Sequence, residues 1–277
     1  MTVDATGGDG SARSGVNYGS IGGVSMRWVA ISNPGRVRMT NEDGALTGPG
    51  LFLLADGMGG HDRGEVASAA ALEALAEVFG PEPEDAQAVM ESVVDRLRSA
   101  HATIEDIDSD SGKRAGTTVT GVVLTTYEGV PHWLVVNIGD SRTYRLAGGY
   151  FEQLTVDHSQ VQELVNGGYL SPEQARTDPR RNVITRALGA GMEPDADFWI
   201  VPAQPSEKLL VCSDGLNGEL TDDEILAILD SDAQIDECAE QLISAALNAG
   251  GRDNVTVIVV EVTTQPAEPV SQTQHVG

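Results

Sequence analysis

Basic residues and cysteines are scarce in this sequence, and each shortage limits what the protein can do. Acidic residues outnumber basic ones 42 to 17, which gives a formal net charge of −25. An acidic surface repels phosphate backbones and anionic lipids, so neither nucleic acid nor membrane is an expected partner. The two cysteines, Cys212 and Cys238, form neither a CxxC pair nor a Cys-x5-Arg motif. This pattern argues against a disulfide framework or a structural zinc site, and it excludes a cysteine-dependent phosphatase.

Long apolar runs are also missing from the sequence. No stretch approaches the ~20 apolar residues that a membrane-spanning helix needs. Residues 1–25 are rich in Gly and Ser and lack the apolar centre of a signal peptide. We therefore expect a cytoplasmic protein with flexible tails at residues 1–25 and 264–277 and one folded domain at residues 26–263.

The apolar pattern between the tails predicts an α+β fold. The predicted helices form an early pair and a late pair separated by consecutive strands, which favours a sheet or sheet sandwich flanked by helices over strict βαβ alternation. Short apolar, β-branched segments predict strands at residues 26–32, 51–55, 117–126, 132–138, 208–212 and 255–262. Helical periodicity predicts helices at residues 64–79, 85–106, 221–230 and 233–249.

Residues 157–197 differ from the rest of the chain. They are polar and locally basic, with Arg180 and Arg181 next to Pro179 and a further proline at Pro172. We interpret this segment as an insertion that lies over the surface as a flap.

Four aspartates lie at the ends of predicted strands. Asp56, Asp140 and Asp214 each follow an apolar strand, and Asp253 comes just before the last one. For a single aspartate a turn or capping role would be the better interpretation, but four in the same context favour a shared site. Carboxylates gathered at a sheet edge repel one another unless cations neutralise them, and an all-oxygen site favours Mg²⁺ or Mn²⁺. The sequence thus predicts a divalent metal centre of the kind used for displacement at phosphorus.

These aspartates belong to a series of motifs that resembles the PPM phosphatases, the protein phosphatase 2C family, and particularly its compact bacterial members. The resemblance covers about residues 26–262 in family order. In chain order the matching segments are 37–43 (VRMTNED), 55–61 (ADGMGGH), 116–118 (GTT), 138–142 (IGDSR), 157–159 (DHS), 185–189 (TRALG), 212–216 (CSDGL) and 252–256 (RDNVT).

The resemblance implies an α-β-β-α sandwich, in which two packed antiparallel sheets are flanked by helices, with metals in a cleft at one end. It also implies two Mn²⁺ or Mg²⁺ ions. Asp56 would bridge them, the Gly57 carbonyl would bind one ion, and Asp214 and Asp253 would bind the other. Asp140, together with Asp214, would serve a weaker third site.

Other roles implied by the resemblance concern the substrate and the surrounding water. Arg38 would hold the substrate phosphate, while Glu42 and Asp43 would orient water from behind the metals. Eukaryotic relatives carry a histidine where this chain has Met58, so the usual proton donor is absent from that position. His61, three residues later, is the candidate that replaces it. The alternatives are that His61 is an exposed loop histidine and that a metal-bound water donates the proton.

The predicted function is hydrolysis of phosphoserine and phosphothreonine in proteins by water activated at a dinuclear centre. The expected partners are phosphoprotein substrates, those of a serine/threonine kinase, and the expected state is a monomer. One alternative is a phosphoprotein-binding module of the same fold with weak or no turnover. Another, suggested by His61-Asp62, is an all-helical metal-dependent phosphohydrolase of the HD type, which the mixed strand and helix pattern disfavours.

Overall fold

The computed structural model describes residues 11–59, 63–107, 114–192 and 194–263. Over these ranges the chain forms fourteen strands and seven helices. Within the same ranges, no helix is long and apolar enough to cross a membrane. The strands are β1 (Ala12–Arg13), β2 (Asn17–Ile21), β3 (Val24–Asn33), β4 (Asp43–Gly48), β5 (Leu51–Met58), β6 (Gly116–Thr117), β7 (Val119–Tyr127), β8 (Val130–Ile138), β9 (Arg142–Ala147), β10 (Tyr150–Gln153), β11 (Leu188–Gly189), β12 (Asp197–Pro202), β13 (Lys208–Cys212) and β14 (Val255–Thr263). The helices are α1 (Arg63–Ala76), α2 (Ala86–Glu105), α3 (Gln160–Asn166), α4 (Pro172–Thr177), α5 (Asp214–Asn217), α6 (Asp222–Leu229) and α7 (Ile235–Ala249).

The strands form two antiparallel seven-stranded sheets. The first sheet runs β1-β3-β14-β13-β9-β10, with β2 also paired to β3. The second runs β11-β6-β5-β7-β8-β12, with β4 also paired to β5. The last strand, β14, lies inside the first sheet between β3 and β13, so residues from both ends of the chain meet there.

Three apolar cores separate four layers. Between the sheets, Phe52 packs against Trp28 and Trp133 with ring centroids 5.5 and 6.2 Å apart. Helices α1 and α2 cover the outer face of the second sheet, where Leu72 and Leu97 join its core. Helices α6 and α7 cover the first sheet in the same way. The predicted α-β-β-α sandwich is thus confirmed, and both sheets are apolar on two faces because each has helices on one side and its partner sheet on the other.

All six predicted strands and all four predicted helices are present, with ends that differ by a few residues. The helix that starts near residue 221 begins with a capping box, since Thr221 accepts from the Glu224 N–H and Glu224 accepts from the Thr221 N–H. The sequence patterns did not reveal β4, β9, β10 and β12. These strands are short or carry polar residues at alternate positions, so their apolar signal is weak.

The predicted flexible tail at residues 1–25 is wrong from residue 12 onward. Strands β1 and β2 both pair with β3, and the register of β2 places Asn17 opposite Trp28. The Gly- and Ser-rich composition obscured them because backbone hydrogen bonds to β3, rather than a row of apolar side chains, fix these strands.

The flap is shorter than its predicted bounds of 157–197. Leu188–Gly189 pair with β6 and Asp197 begins β12, so the segment outside the sheets ends near residue 187. It contains α3 and the capped helix α4. Arg176 fixes the flap to the domain by donating to the Leu220 carbonyl (3.0 Å).

Candidate active site

One cavity of about 240 Å³ lies at the end of the sandwich where β5, β8, β13 and β14 meet their loops. Its wall contains seven of the residues predicted for the site, namely Arg38, Glu42, Asp56, Gly57, Asp140, Asp214 and Asp253. The structure therefore brings together side chains that are separated by more than two hundred positions in the sequence. His61 lies outside the described residues, so its predicted role is not tested here.

Asp56 and Asp43 lie directly opposite each other in the β4–β5 pair. Like charges at opposite positions of a sheet destabilise it, so this pairing has a cost that a site must offset. The Asp56 backbone is fixed by Thr118, whose hydroxyl accepts from the Asp56 N–H (3.1 Å) and whose N–H donates to the Asp56 carbonyl (2.9 Å). Thr256 donates from Oγ1 to Asp43 Oδ2 (2.7 Å), whereas Asp43 Oδ1 is buried without a hydrogen-bond partner.

The remaining carboxylates reach the cavity from strand ends. Asp214 is the first residue of α5, separated by one residue from the end of β13, and its carboxyl group lies close to that of Asp56. Asp140 occupies the turn between β8 and β9. Asp253 precedes β14, where its Oδ1 accepts from the Asn254 N–H (2.9 Å). A strand end allows little freedom of position, so the carboxylates are held close despite their charge.

Enclosure and mutual repulsion raise the pKa values of four of these acids, namely Asp43, Asp56, Asp140 and Asp214. Loss of hydration is the main cause of each shift, and neighbouring carboxylates add to it. The pKa of Asp43 rises to about 7 and that of Asp214 to about 6. The pKa values of Asp56 and Asp140 are raised well above the ordinary range. At neutral pH the cluster therefore favours binding of protons or cations.

The donor set fits hard divalent cations. It consists of carboxylate oxygens with a backbone carbonyl available at Gly57, and one carboxylate oxygen of Asp43 lacks a partner. Among the residues that the structure describes, no group of three or more acidic, His or Cys side chains is arranged to hold a metal ion. A group of three is not needed, because Mg²⁺-type ions keep several of their waters and use only one or two carboxylates each. A cavity of about 240 Å³ has room for such waters.

Arg38 contributes positive charge to this acidic cavity. Its Nη2 donates to Asp253 Oδ2 (2.7 Å), and this hydrogen bond is the main cause of its raised pKa. The side chain is 53% exposed, so it is accessible to a ligand. A guanidinium has five N–H donors, so the bond to Asp253 leaves donors for phosphate oxygens.

Two glycines allow the loops around Asp56 to approach closely. A Cβ at Gly57 would lie 2.2 Å from the Gly64 carbonyl oxygen, and a Cβ at Gly64 would lie 2.6 Å from Glu42 Cδ. The Gly57 N–H donates to the Glu42 carbonyl (3.2 Å). Any side chain at either glycine would push Glu42 and the start of α1 away from the cavity.

Four cavity residues were not singled out by sequence reasoning. Asn182 and Ile184 from the flap line the wall, as do Gly59, which follows β5, and Thr118, which lies between β6 and β7. Thr118 lies in one of the motifs that carry the resemblance, so its position offered a signal. The two flap residues stand in a polar segment without periodicity, and only the fold shows that they reach the cavity.

His158 connects the flap to the turn that carries Asp140. Its ring Nδ1 accepts from the Gly139 N–H (3.1 Å), and its backbone N–H donates to the Gly139 carbonyl (2.8 Å). The ring Nε2 contacts Asp197 Oδ2 (3.1 Å). Burial lowers the pKa of His158, which favours the neutral ring that this arrangement requires. Its contacts are those of a packing residue rather than a proton donor to substrate.

Comparisons with known proteins agree with this geometry. The sequence profile described as "Protein phosphatase 2C" matches residues 41–249. The chain belongs to the protein phosphatase 2C family.

The serine/threonine protein phosphatase PstP of Mycobacterium tuberculosis is 40% identical over 238 residues, which are 86% of this chain and 45% of that protein. The chain thus spans about half the length of that relative. The serine/threonine phosphatase stp of Listeria monocytogenes is 34% identical over 82% of this chain and 92% of its own length.

Solved structures of family members show the same fold. The crystal structure of M. tuberculosis PstP/Ppp has a TM-score of 0.77 and 37% identity, and it covers 87% of this chain and 100% of that one. A structure of the PstP catalytic domain "in complex with 2 Manganese ions" has a TM-score of 0.75 and 36% identity, and it covers 87% of this chain and 99% of that one. The predictions of fold and of family are therefore confirmed. The roles of individual residues of this protein phosphatase 2C member remain predictions.

Proposed function

We propose that this chain is a metal-dependent serine/threonine protein phosphatase. The observation that carries the proposal is the convergence of Asp56, Asp140, Asp214 and Asp253 with Arg38 on one cavity, where the acids lack enough positive charge to neutralise them. Relatives named serine/threonine phosphatases support it, as does the structure of one of them with two manganese ions.

The cofactors would be two Mn²⁺ or Mg²⁺ ions. Asp56 would bridge them, with the Gly57 carbonyl, Asp214 and Asp253 as further ligands, and Asp140 with Asp214 would hold a weaker third ion. Bound there, the ions would polarise the phosphate ester and lower the pKa of a water molecule so that it attacks phosphorus in line.

The chain's own residues would bind and orient the reacting groups. Arg38 would hold two phosphate oxygens and offset the negative charge that develops on them. Glu42 and Asp43 would accept hydrogen bonds from water in the cavity, and the unpartnered Oδ1 of Asp43 is suited to this role. His61 stays a predicted proton donor to the leaving serine or threonine oxygen.

The proposed substrates are phosphoproteins, those of a serine/threonine kinase. The net charge of −25 favours substrates that present basic or neutral residues to this surface. The protein is proposed to act in the cytoplasm as a monomer and to take part in signalling. Size-exclusion chromatography with light scattering would test the monomer directly.

The proposal is tested by hydrolysis of p-nitrophenyl phosphate and of a phosphothreonine peptide with Mn²⁺, with Mg²⁺ and with excess EDTA. We expect turnover that requires metal and is lost in Asp214→Asn. Asp223→Asn is the matched control, since Asp223 is an exposed carboxylate on α6. A folded wild type that binds phosphopeptide but hydrolyses no substrate with either metal would contradict the proposal and favour a binding module.

Arg38 offers a separate test of substrate binding. Arg38→Ala should raise KM by about tenfold to a hundredfold, because a charge-assisted phosphate contact is lost while the carboxylates stay in place. Arg36→Ala is the control, since Arg36 bonds to Asn248 outside the cavity. An unchanged KM would remove Arg38 from the phosphate site.

A further inference from the structure

Asn254 lies between the residue predicted to bind phosphate and the residues predicted to bind metal. It directly follows Asp253 and is 5% exposed. The loop at residues 34–42, here called the Arg38 loop, folds against it. Since Arg38 itself is largely exposed, packing around its side chain does little to fix its position. The backbone of the Arg38 loop must therefore be held from elsewhere.

The Asn254 amide holds that loop at both ends. Its Nδ2 donates to the Pro34 carbonyl (3.0 Å) and to the Thr40 carbonyl (2.9 Å). Its Oδ1 accepts from the Glu42 N–H (2.9 Å). Both amide hydrogens and the carbonyl oxygen are thus used on the same loop, so no other small side chain can replace the three bonds.

The backbone around Asn254 is equally constrained. A Cβ at Gly215 would lie 1.9 Å from the Asn254 carbonyl oxygen, which places Asn254 against the residue after Asp214. A Cβ at Gly35 would lie 2.2 Å from the Asp253 carbonyl oxygen, and the Arg36 N–H donates to the Gly251 carbonyl (2.7 Å). The Arg38 loop is therefore fitted closely to the segment that carries Asp253 and packs on Asp214.

We propose that Asn254 is a positioning residue that sets Arg38 at the correct distance from the metal ligands for phosphate binding. This inference rests on the proposed function, in which Arg38 binds the substrate phosphate. Asn254 makes no contact with substrate in this scheme. It acts through the Arg38 loop, so its loss should weaken phosphate binding while the carboxylates keep their affinity for metal.

The test compares wild type, Asn254→Ala, Arg38→Ala and the double variant. Affinity for inorganic phosphate and for Mn²⁺ is measured by calorimetry, and KM and kcat are measured with p-nitrophenyl phosphate. We expect Asn254→Ala to weaken phosphate binding and raise KM by about tenfold, with Mn²⁺ affinity within about twofold of wild type. In the Arg38→Ala background the same change should have no further effect on phosphate affinity or KM.

Asn248→Ala is the matched control, because Asn248 bonds to the Arg36 side chain but not to the backbone of the Arg38 loop. It should change neither affinity. The proposal would be overturned if Asn254→Ala lowered phosphate affinity equally in the wild-type and the Arg38→Ala backgrounds. A fall in Mn²⁺ affinity with phosphate affinity unchanged would also overturn it.

Two further measurements keep the test decisive if Asn254→Ala folds poorly. In the wild type, amide hydrogen exchange should show the Glu42 N–H protected, and fast exchange there would count against the contact with Asn254. Asn254→Asp keeps the acceptor for Glu42 but loses the two donors, so it should weaken phosphate binding like the alanine variant. Phosphate affinity and amide hydrogen exchange are measured without turnover. They therefore test the role of Asn254 even if the wild type is inactive, a result that would overturn only the proposed function.

Discussion

The enclosed acids of this molecule fall into two groups that differ in how their charge is balanced. Between the sheets, Glu207 is fully buried, and its oxygens accept from Trp133 Nε1 (2.7 Å) and Arg145 Nε (2.7 Å). At the cavity, Asp56, Asp140 and Asp214, together with Asp43 buried behind Asp56, form no salt bridge within the described part of the chain. The first group is neutralised by the protein itself, whereas the charge of the second is balanced by bound protons or by a cation from outside. The difference separates a structural acid from a functional one without reference to any relative.

The largest effect should come from replacing a cavity acid. Asp56→Asn should lower turnover by at least about 1000-fold, since the residue proposed to be a ligand of both ions is lost. Its stability in EDTA should stay equal to that of wild type or rise, because a carboxyl group whose ionisation is unfavourable opposite Asp43 is replaced by a neutral amide. Urea unfolding and phosphatase assays on the same preparation check both parts. Marked destabilisation of the variant in EDTA would mean that Asp56 is a structural acid after all.

The reverse result is expected for the acid between the sheets. Glu207→Gln leaves the buried guanidinium of Arg145 with only the exposed Glu152, 3.9 Å away, as a charge partner and should cost about 3–5 kcal/mol in the free energy of unfolding. Turnover per folded molecule should stay near wild type. Glu261→Gln is the control, since its pair with Arg27 is partly exposed and should be worth about 1 kcal/mol or less. If the two variants lost the same free energy of unfolding, the distinction between buried and surface ion pairs would be removed.

The two groups should also respond differently to pH. A carboxyl group whose pKa is higher in the folded than in the unfolded protein stabilises the fold below its unfolded pKa, and this contribution is lost as pH rises through the folded pKa. For Asp214 and Asp43, with pKa values of about 6 and about 7, that window runs from about pH 4 to about pH 7.

Without metal, the free energy of unfolding should therefore fall as pH rises across this window. Because the cavity admits water, we expect a drop on the order of 1–2 kcal/mol. Urea unfolding in EDTA at several pH values measures it. Saturating Mn²⁺ should abolish the fall, and Asp214→Asn should reduce it. A flat profile in EDTA would show that the cavity acids are already neutralised.

The smallest predicted effect concerns the loop that presents Glu207. Ser206 has φ 63°, a left-handed backbone conformation that favours glycine. Ser206→Gly should stabilise the protein by about 0.5–1 kcal/mol, whereas Ser206→Ala keeps the strain and should not. Thermal unfolding of the two variants makes the comparison. A stabilised alanine variant would show that the hydroxyl, rather than the backbone, is the source of strain.

The sequence allowed most of the fold and the site to be predicted, for physical reasons that the structure makes clear. The strands buried on both faces, such as those at residues 51–55 and 255–262, gave continuous apolar signals, and the aspartates at their ends were visible as breaks in them. Edge strands such as Asn17–Ile21 gave no such signal, since their order comes from pairing with a neighbour. The contacts of Asn182, Ile184 and Asn254 were also beyond reach, because they depend on how distant loops pack.

The central position of β14 has a consequence for how the protein is made. Residues 255–263 form an interior strand of the first sheet, and Asp253, Asn254 and Thr256 at its start hold Arg38, the loop around it and Asp43. During synthesis the second sheet and its helices emerge from the ribosome long before this strand does. The nascent chain therefore holds an open sheet with β3 and β13 unjoined, and its cavity is incomplete. The proposed phosphatase activity would require residues 255–263 to have emerged and paired with β3 and β13, so a nascent chain that ends before them would lack a complete site.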